Sequence, residues 1–342
     1  MPDLPSRLRL ALLPTALQRC DALSNLWGGP TIWIKRDDLT GFGASGNKVR
    51  KLEFHMAAAQ EAGADTVITC GAAQSNHCRA TALSAAALGL RSILLLRTSD
   101  GQPPGAVTGN YLLDRLAGAD IRFVTPAEYD ERTAAMADVA AEVAAGGGSA
   151  WVIPEGASDP LGMWGFVLAL RELEQQLGGI DARISAVWHA SSSGATTAGL
   201  GWGADRLGLD LPIVGASVGD SVTDLRLRVD AIWEEAIAAH GGTLPRPDLE
   251  LTDDHVGLGY GLTTDDELAA QVEVTAHTGL ILDPTYTGKA LTGLRSEILA
   301  GRYAPSEHVV FWHTGGGFAV FAHDFGATLS SRRRTGSPAD PA

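Results

Sequence analysis

Four stretches of this sequence set side chains that can do chemistry beside glycines that let a backbone approach a ligand. The first is Gly43-Ala44-Ser45-Gly46-Asn47-Lys48, opening a helix predicted over 49–62 with Asn47 as its cap. A lysine in the first turn of a helix meets the positive end of the dipole, which lowers its amine pKa. Such an amine suits a Schiff-base nucleophile. Beside Arg50 and Lys51, Lys48 also reads as one of several surface charges. The second stretch, Gln74-Ser75-Asn76-His77, lines up hydrogen-bonding groups at a helix start; by itself it is capping and turn chemistry. The third runs from Ser191-Ser192-Ser193-Gly194 to Ala195-Thr196-Thr197-Ala198-Gly199. Small residues there let successive backbone N–H groups converge on one point, which is how a phosphate is held. The stretch lacks the lysine of a nucleotide P-loop and the spacing of a dinucleotide fingerprint. The ligand it implies carries one phosphate and need not be a nucleotide; a flexible serine turn is the alternative. The fourth pairs Asp283-Pro284-Thr285-Tyr286-Thr287-Gly288-Lys289 with His313-Thr314-Gly315-Gly316-Gly317. A threonine before three glycines can reach a cleft while the backbone stays close to a flat ligand. Tyr260, between two glycines, and Tyr286 are candidates for proton transfer, with burial in the core as the alternative.

These stretches need a scaffold. Apolar runs over 66–70, 92–96, 121–124, 150–153, 184–188, 212–215 and 308–312 read as buried strands. Helical windows over 78–88, 134–145, 165–177 and 222–239 fall between them. Strands alternating with helices imply an α/β fold of parallel sheets covered on both faces. Ligands in such folds sit at the carboxyl ends of the strands, where the four stretches lie. The 342 residues are enough for two domains or one large one. Lys plus Arg total 26 against 40 Asp plus Glu, and a net charge of −14 argues against nucleic acid or an anionic membrane as a bulk partner. Cys20, Cys70 and Cys78 make no disulfide framework and read as reduced thiols. No apolar run approaches the roughly 18 residues of a membrane span, and the short N-terminal apolar stretch is broken by Pro14, so a cytoplasmic protein is expected. Metal-site spacings and a GxSxG elbow are both missing, which disfavours a metalloenzyme or a serine hydrolase. Residues 330–342, with Arg332-Arg333-Arg334, read as a disordered tail.

A Schiff-base lysine, a cup for one phosphate and a slot for a flat ring together describe pyridoxal 5′-phosphate. At this point the chain resembles the D-cysteine desulfhydrase/1-aminocyclopropane-1-carboxylate (ACC) deaminase family, within the fold type II, tryptophan-synthase-β-like enzymes. The resemblance is carried by Ile34-Lys35-Arg36-Asp37-Asp38-Leu39-Thr40-Gly41, Gly46-Asn47-Lys48-Val49-Arg50-Lys51-Leu52-Glu53-Phe54, Gln74-Ser75-Asn76-His77, Leu282-Asp283-Pro284-Thr285-Tyr286-Thr287-Gly288-Lys289 and His313-Thr314-Gly315-Gly316. These stretches appear in the family's order from about residue 14 to residue 322.

The resemblance implies roles. Lys48 would bind the cofactor and then move the Cα proton. Asn76 would hydrogen-bond the cofactor's 3′-oxygen. Ser75, with Asn76 and His77, would meet the substrate carboxylate. Ser193, Gly194, Ala195, Thr196 and Thr197 would cradle the phosphate, and Tyr260 and Tyr286 would line the substrate side as acid/base groups. Thr287 and Thr314 stand where ACC deaminases usually carry Glu and Leu, beside the pyridine nitrogen. A neutral hydroxyl there makes a weaker electron sink than an acid, which suffices when a good β-leaving group departs. That pattern resembles the desulfhydrases. Ser45, the Ser-Gly-Ala-Thr order of the phosphate loop and Leu258 depart from the common pattern, and the loop at Glu155 is closer to the deaminases. The family architecture implies a small α/β domain over residues 53–164, a large cofactor domain from 1–52 and 165–329, each an open twisted mostly parallel sheet with helices on both faces, and a homodimer. The expected reaction is α,β-elimination on a small amino acid, D-cysteine first. ACC deamination, sulfite elimination from L-cysteate, a serine/threonine dehydratase or synthase of the same fold, or a catalytically silent cofactor-binding homologue are the alternatives.

Overall fold

The computed structural model describes residues 4–245, 247–325 and 328–329; the tail expected over 330–342 lies outside them. The described strands are β1 (Leu17–Arg19), β2 (Thr31–Arg36), β3 (Thr66–Ala72), β4 (Arg91–Arg97), β5 (Asp120–Val124), β6 (Ala150–Val152), β7 (Ile184–Ser191), β8 (Ile213–Ser217), β9 (Leu249–Thr252) and β10 (His308–His313). They form two sheets, ordered β1-β2-β10-β7-β8-β9 and β5-β4-β3-β6. Every pairing among them is parallel except β1 against β2. The chain enters the smaller sheet at β3 and leaves it after β6. The α/β class with parallel sheets is as the sequence pattern implies.

The central strands β3, β7 and β10 are almost continuously buried, because helices cover both faces of their sheets. On one face of the larger sheet Trp188, Val214 and Phe311 pack against Leu291 and Leu294. On the other, Val187, Ile213 and Val310 meet Phe166, Leu170 and Leu200. In the smaller sheet Val67 packs with Leu52 and Met56, while Ile68 and Leu95 meet Met136 and Val139. Strands β1, β2 and β9 are not announced by apolar runs. β1 and β9 are short, and β2 carries Lys35 and Arg36 within a mixed sequence. No described helix is long and apolar enough to cross a membrane.

A cluster of buried charges anchors the helix that bears Lys48, Asn47–Glu61. Arg50 contributes two hydrogen bonds to Asp37, at 2.7 and 2.8 Å, and two to Glu172, both at 3.0 Å. Glu172 also accepts from Lys35 at 2.5 Å. Arg50 and Lys51 are only 2% and 1% exposed, so neither is a surface charge. Four partnered groups thus tie β2, this helix and the helix Pro160–Leu177 together. Asn47 does not cap the helix: it is the first helical residue, and Gly46 precedes it without any side-chain cap.

Candidate active site

The four stretches converge at carboxyl ends of strands. Lys48 follows β2, Asn76 follows β3, Ser193 follows β7 and Thr314 follows β10. One cavity is lined by Lys48, Asn76, Ser193, Gly194, Thr196, Tyr286 and Thr314. The loops are stitched to one another: Asn47 donates its backbone N–H to the Thr314 carbonyl at 2.9 Å, and its Nδ2 to Thr196 Oγ1 at 3.3 Å.

Burial lowers the Lys48 amine from 10.5 to about 8, with Glu155 opposing the shift. Desolvation, rather than the helix end alone, is therefore the main cause. Lys51 lies three residues on, which places it on the same helical face. Burial and the neighbouring Lys48 charge hold its amine well below the ordinary lysine value. Lys51 Nζ donates to the Gly156 carbonyl at 3.3 Å and to Ser158 Oγ at 3.4 Å, and Ser158 Oγ lies 2.6 Å from Ser193 Oγ. A second buried amine thus backs the serine loop. In the sequence Lys51 reads as a surface charge; its i,i+3 spacing from Lys48 is the signal that points inward.

The helix Ala195–Leu207 starts at this cavity. Its cap, Gly194, has φ +96°, a left-handed conformation that favours glycine, and supplies no side chain to the first-turn N–H groups. Uncapped N–H donors at a helix start, with small residues before them and a depressed lysine amine across the cavity, fit a ligand with one phosphate and one electrophilic carbon.

Not every expected residue turns its side chain toward this cavity. Thr197 is fully buried, its hydroxyl 2.6 Å from Ser191 Oγ and 3.4 Å from His189 Nε2. Ala195 is buried in the core and can offer the cavity only main-chain atoms. The Thr287 hydroxyl donates to Asp283 Oδ1 at 2.7 Å and accepts from the Asp283 N–H at 2.9 Å, so it closes a turn. His77 directs Nε2 to Thr69 Oγ1 at 2.8 Å, inside the small sheet, and burial holds its pKa well below the usual value, leaving a neutral ring. Ser75 caps the helix Asn76–Ala87 by accepting from the Cys78 N–H at 3.2 Å. Its own O–H is still available as a donor.

Tyr260 and Tyr286 do come together. Their hydroxyls are 2.5 Å apart and their rings meet edge to face at 5.8 Å. Burial pushes Tyr260 up to about 12 and holds Tyr286 well above its ordinary value, with the facing phenol adding to the rise at Tyr286. Both are therefore neutral near pH 7, with one hydroxyl donating to the other and a single O–H left to donate elsewhere. The buried Asp283 holds the Tyr286 loop by accepting from the N–H groups of Thr285, Tyr286 and Thr287.

A family model described as "Pyridoxal-phosphate dependent enzyme" matches residues 8–315. The chain belongs to the pyridoxal-phosphate-dependent enzymes. Within them it falls in the D-cysteine desulfhydrase/ACC deaminase family of fold type II lyases. It is 41% identical over 322 residues to the bifunctional, mitochondrial D-cysteine desulfhydrase/1-aminocyclopropane-1-carboxylate deaminase of Arabidopsis thaliana, covering 92% of this chain and 79% of that one. It is 38% identical over 321 residues to the D-cysteine desulfhydrase of Salmonella paratyphi A, covering 93% and 96%. Among solved structures, an ACC deaminase homologue superposes with a TM-score of 0.85 at 35% identity over 96% of both chains. The processed form of threonine deaminase isoform 2 from Solanum lycopersicum, at 16% identity and a TM-score of 0.65, covering 95% of this chain and 83% of its own, shares the fold. The cofactor of this pyridoxal-phosphate-dependent enzyme is thus the one whose phosphate and reactive carbon the cavity fits.

Proposed function

We propose that this enzyme catalyses α,β-elimination on D-cysteine, giving pyruvate, hydrogen sulfide and ammonia with uptake of water. The observation that carries the reading is Thr314: an uncharged hydroxyl lines the cavity, and no carboxylate is among the lining residues. Pyridoxal phosphate, when bound, supplies an electron sink for negative charge at Cα. With no acid to strengthen that sink, a substrate whose β-group leaves readily is favoured, and a thiolate leaves readily. Lys48 would hold the cofactor through its amine and would move the Cα proton of the substrate. The N–H groups at the start of the helix Ala195–Leu207 would hold its phosphate. The Ser75 O–H and the first-turn N–H groups of the helix Asn76–Ala87 meet the substrate carboxylate. Tyr286, kept protonated beside Tyr260, donates a hydrogen bond to the departing sulfur. We also read residues 53–164, which contain the smaller sheet, as a domain over a larger one built from 1–52 and 165–329.

A second reading is ACC deamination, favoured by the double name of the Arabidopsis relative. Purified, cofactor-loaded protein offered D-cysteine, L-cysteine, ACC and L-cysteate side by side separates the two. Sulfide and pyruvate from D-cysteine alone are expected. 2-Oxobutyrate from ACC, with no sulfide from D-cysteine, would overturn the first reading.

A further inference from the structure

An asparagine amide has a donor end and an acceptor end of nearly the same shape. Which end faces a cavity decides which ligand atom it can meet. Asn76 lines the cavity with Lys48. Its Oδ1 accepts from Asn110 Nδ2 at 2.9 Å. The same Nδ2 donates to the main-chain carbonyl of Gln74 at 2.8 Å. A carbonyl oxygen only accepts, so the end of Asn110 that touches it must be the NH2. The Asn76 atom facing that NH2 must then be its oxygen, and Asn76 Nδ2 is left for the cavity.

Asn110 is itself held without freedom to turn. It is fully buried, and its backbone N–H donates to Gln74 Oε1 at 2.9 Å. Gln74 Nε2 returns to the Thr108 carbonyl at 3.1 Å. Between them Gly109 has φ +59°, and a Cβ there would lie 2.4 Å from Gln74 Oε1. The strap at 108–110 can sit this close to the Asn76 loop only because residue 109 is glycine.

We propose that Asn110, from behind the cavity wall, is a positioning residue that fixes the Asn76 amide with its NH2 toward the cofactor, making Asn76 a donor to the ring oxygen. In pyridoxal phosphate that oxygen sits on the ring carbon next to the one bearing the aldehyde that Lys48 would bond, so the inference rests on the reading of this cavity as the cofactor site. A donor there favours the anionic form of the oxygen, which absorbs in the visible; an acceptor disfavours it.

The test is the absorption spectrum of loaded protein at fixed pH, with no substrate. Asn110→Asp is nearly isosteric but presents acceptors, so Asn76 turns its NH2 away from the cavity. The ratio of visible to near-ultraviolet cofactor absorbance should fall about tenfold, the scale of one hydrogen bond to a charged oxygen. In an Asn76→Ala background the same substitution should change the ratio less than about twofold, since coupled sites are not additive. A wild-type ratio in the Asp variant, or an equal fall in the Ala background, overturns the proposal. Should the Asp variant fail to fold, Asn110→Ser, which cannot reach both acceptors, should lower the ratio, and a wild-type ratio there overturns it too. Wild-type protein that acquires no visible band with pyridoxal phosphate would instead sink the cofactor-site reading itself.

Discussion

Lys48 and Arg50 sit two residues apart on one helix and live in opposite electrostatic surroundings. Arg50 is wrapped by Asp37 and Glu172, which raise its pKa despite burial. Among the described residues Lys48 has no carboxylate within ion-pair distance, and burial brings its amine down to about 8. The sequence offers both as basic residues at a helix start. The contrast teaches that burial alone does not make a base reactive. Burial with paired carboxylates makes Arg50 a strut; burial without one at the cavity leaves Lys48 an amine poised to lose its proton.

The comparison breaks most sharply at Lys48. Lys48→Ala should lower turnover of D-cysteine by more than about a thousandfold. Because Lys48 holds no strut, its thermal midpoint without cofactor should stay close to wild type. Retained turnover would remove Lys48 from the mechanism. Arg50→Met should do the reverse and damage stability first. It leaves the buried Asp37 and Glu172 short of their main partner, and denaturant unfolding should show a loss of about 3–5 kcal/mol. An unfolding midpoint equal to wild type would show that the cluster is not a strut.

Proton linkage sharpens the same contrast. If Lys48 is the residue that bonds the cofactor, it can do so only when neutral, so the rate of cofactor capture by apoprotein should rise with pH and level off above about 8. A rise that continues toward the ordinary value of 10.5 would mean that the amine is not depressed. On the strut side, Arg50 and Lys35 hold Glu172 down from 4.5 to about 2. A carboxylate depressed on folding stabilises the protein above its unfolded pKa and loses that contribution as pH falls through its folded one. Acid unfolding should therefore steepen between 4.5 and about 2, and Glu172→Gln should flatten that slope. The smallest expected effect is at the tyrosines. Tyr286→Phe should slow sulfide release about tenfold through loss of one hydrogen bond to a charged sulfur, and Tyr260→Phe should slow it less. Equal rates in both variants and wild type would exclude the pair from the chemistry.

Much of the site was legible in the residues. Glycines mark the turns, Lys48 stands at a helix start, and the small-residue run after β7 announces an anion cup, because turn and capping chemistry are local. Strand alternation with helices likewise announces the α/β layers. What lay beyond the sequence is where each side chain in those first turns points. Thr196 lines the cavity, yet the next residue, Thr197, bonds Ser191 in the interior. Asn76 lines the cavity, while His77 turns to Thr69 in the small sheet. Successive residues of a helix are rotated by about 100°, so identical chemistry one position apart meets a ligand or the core according to how the helix docks on its sheet. The α/β alternation, and the chemistry of a lysine at a helix start and of a small-residue run after β7 that the proposed site uses, were thus determined by sequence. Only the tertiary structure decided that Arg50 is a strut, that Lys51 backs the serine loop and that Asn110 orients Asn76, because each depends on partners brought from 34 or more residues away.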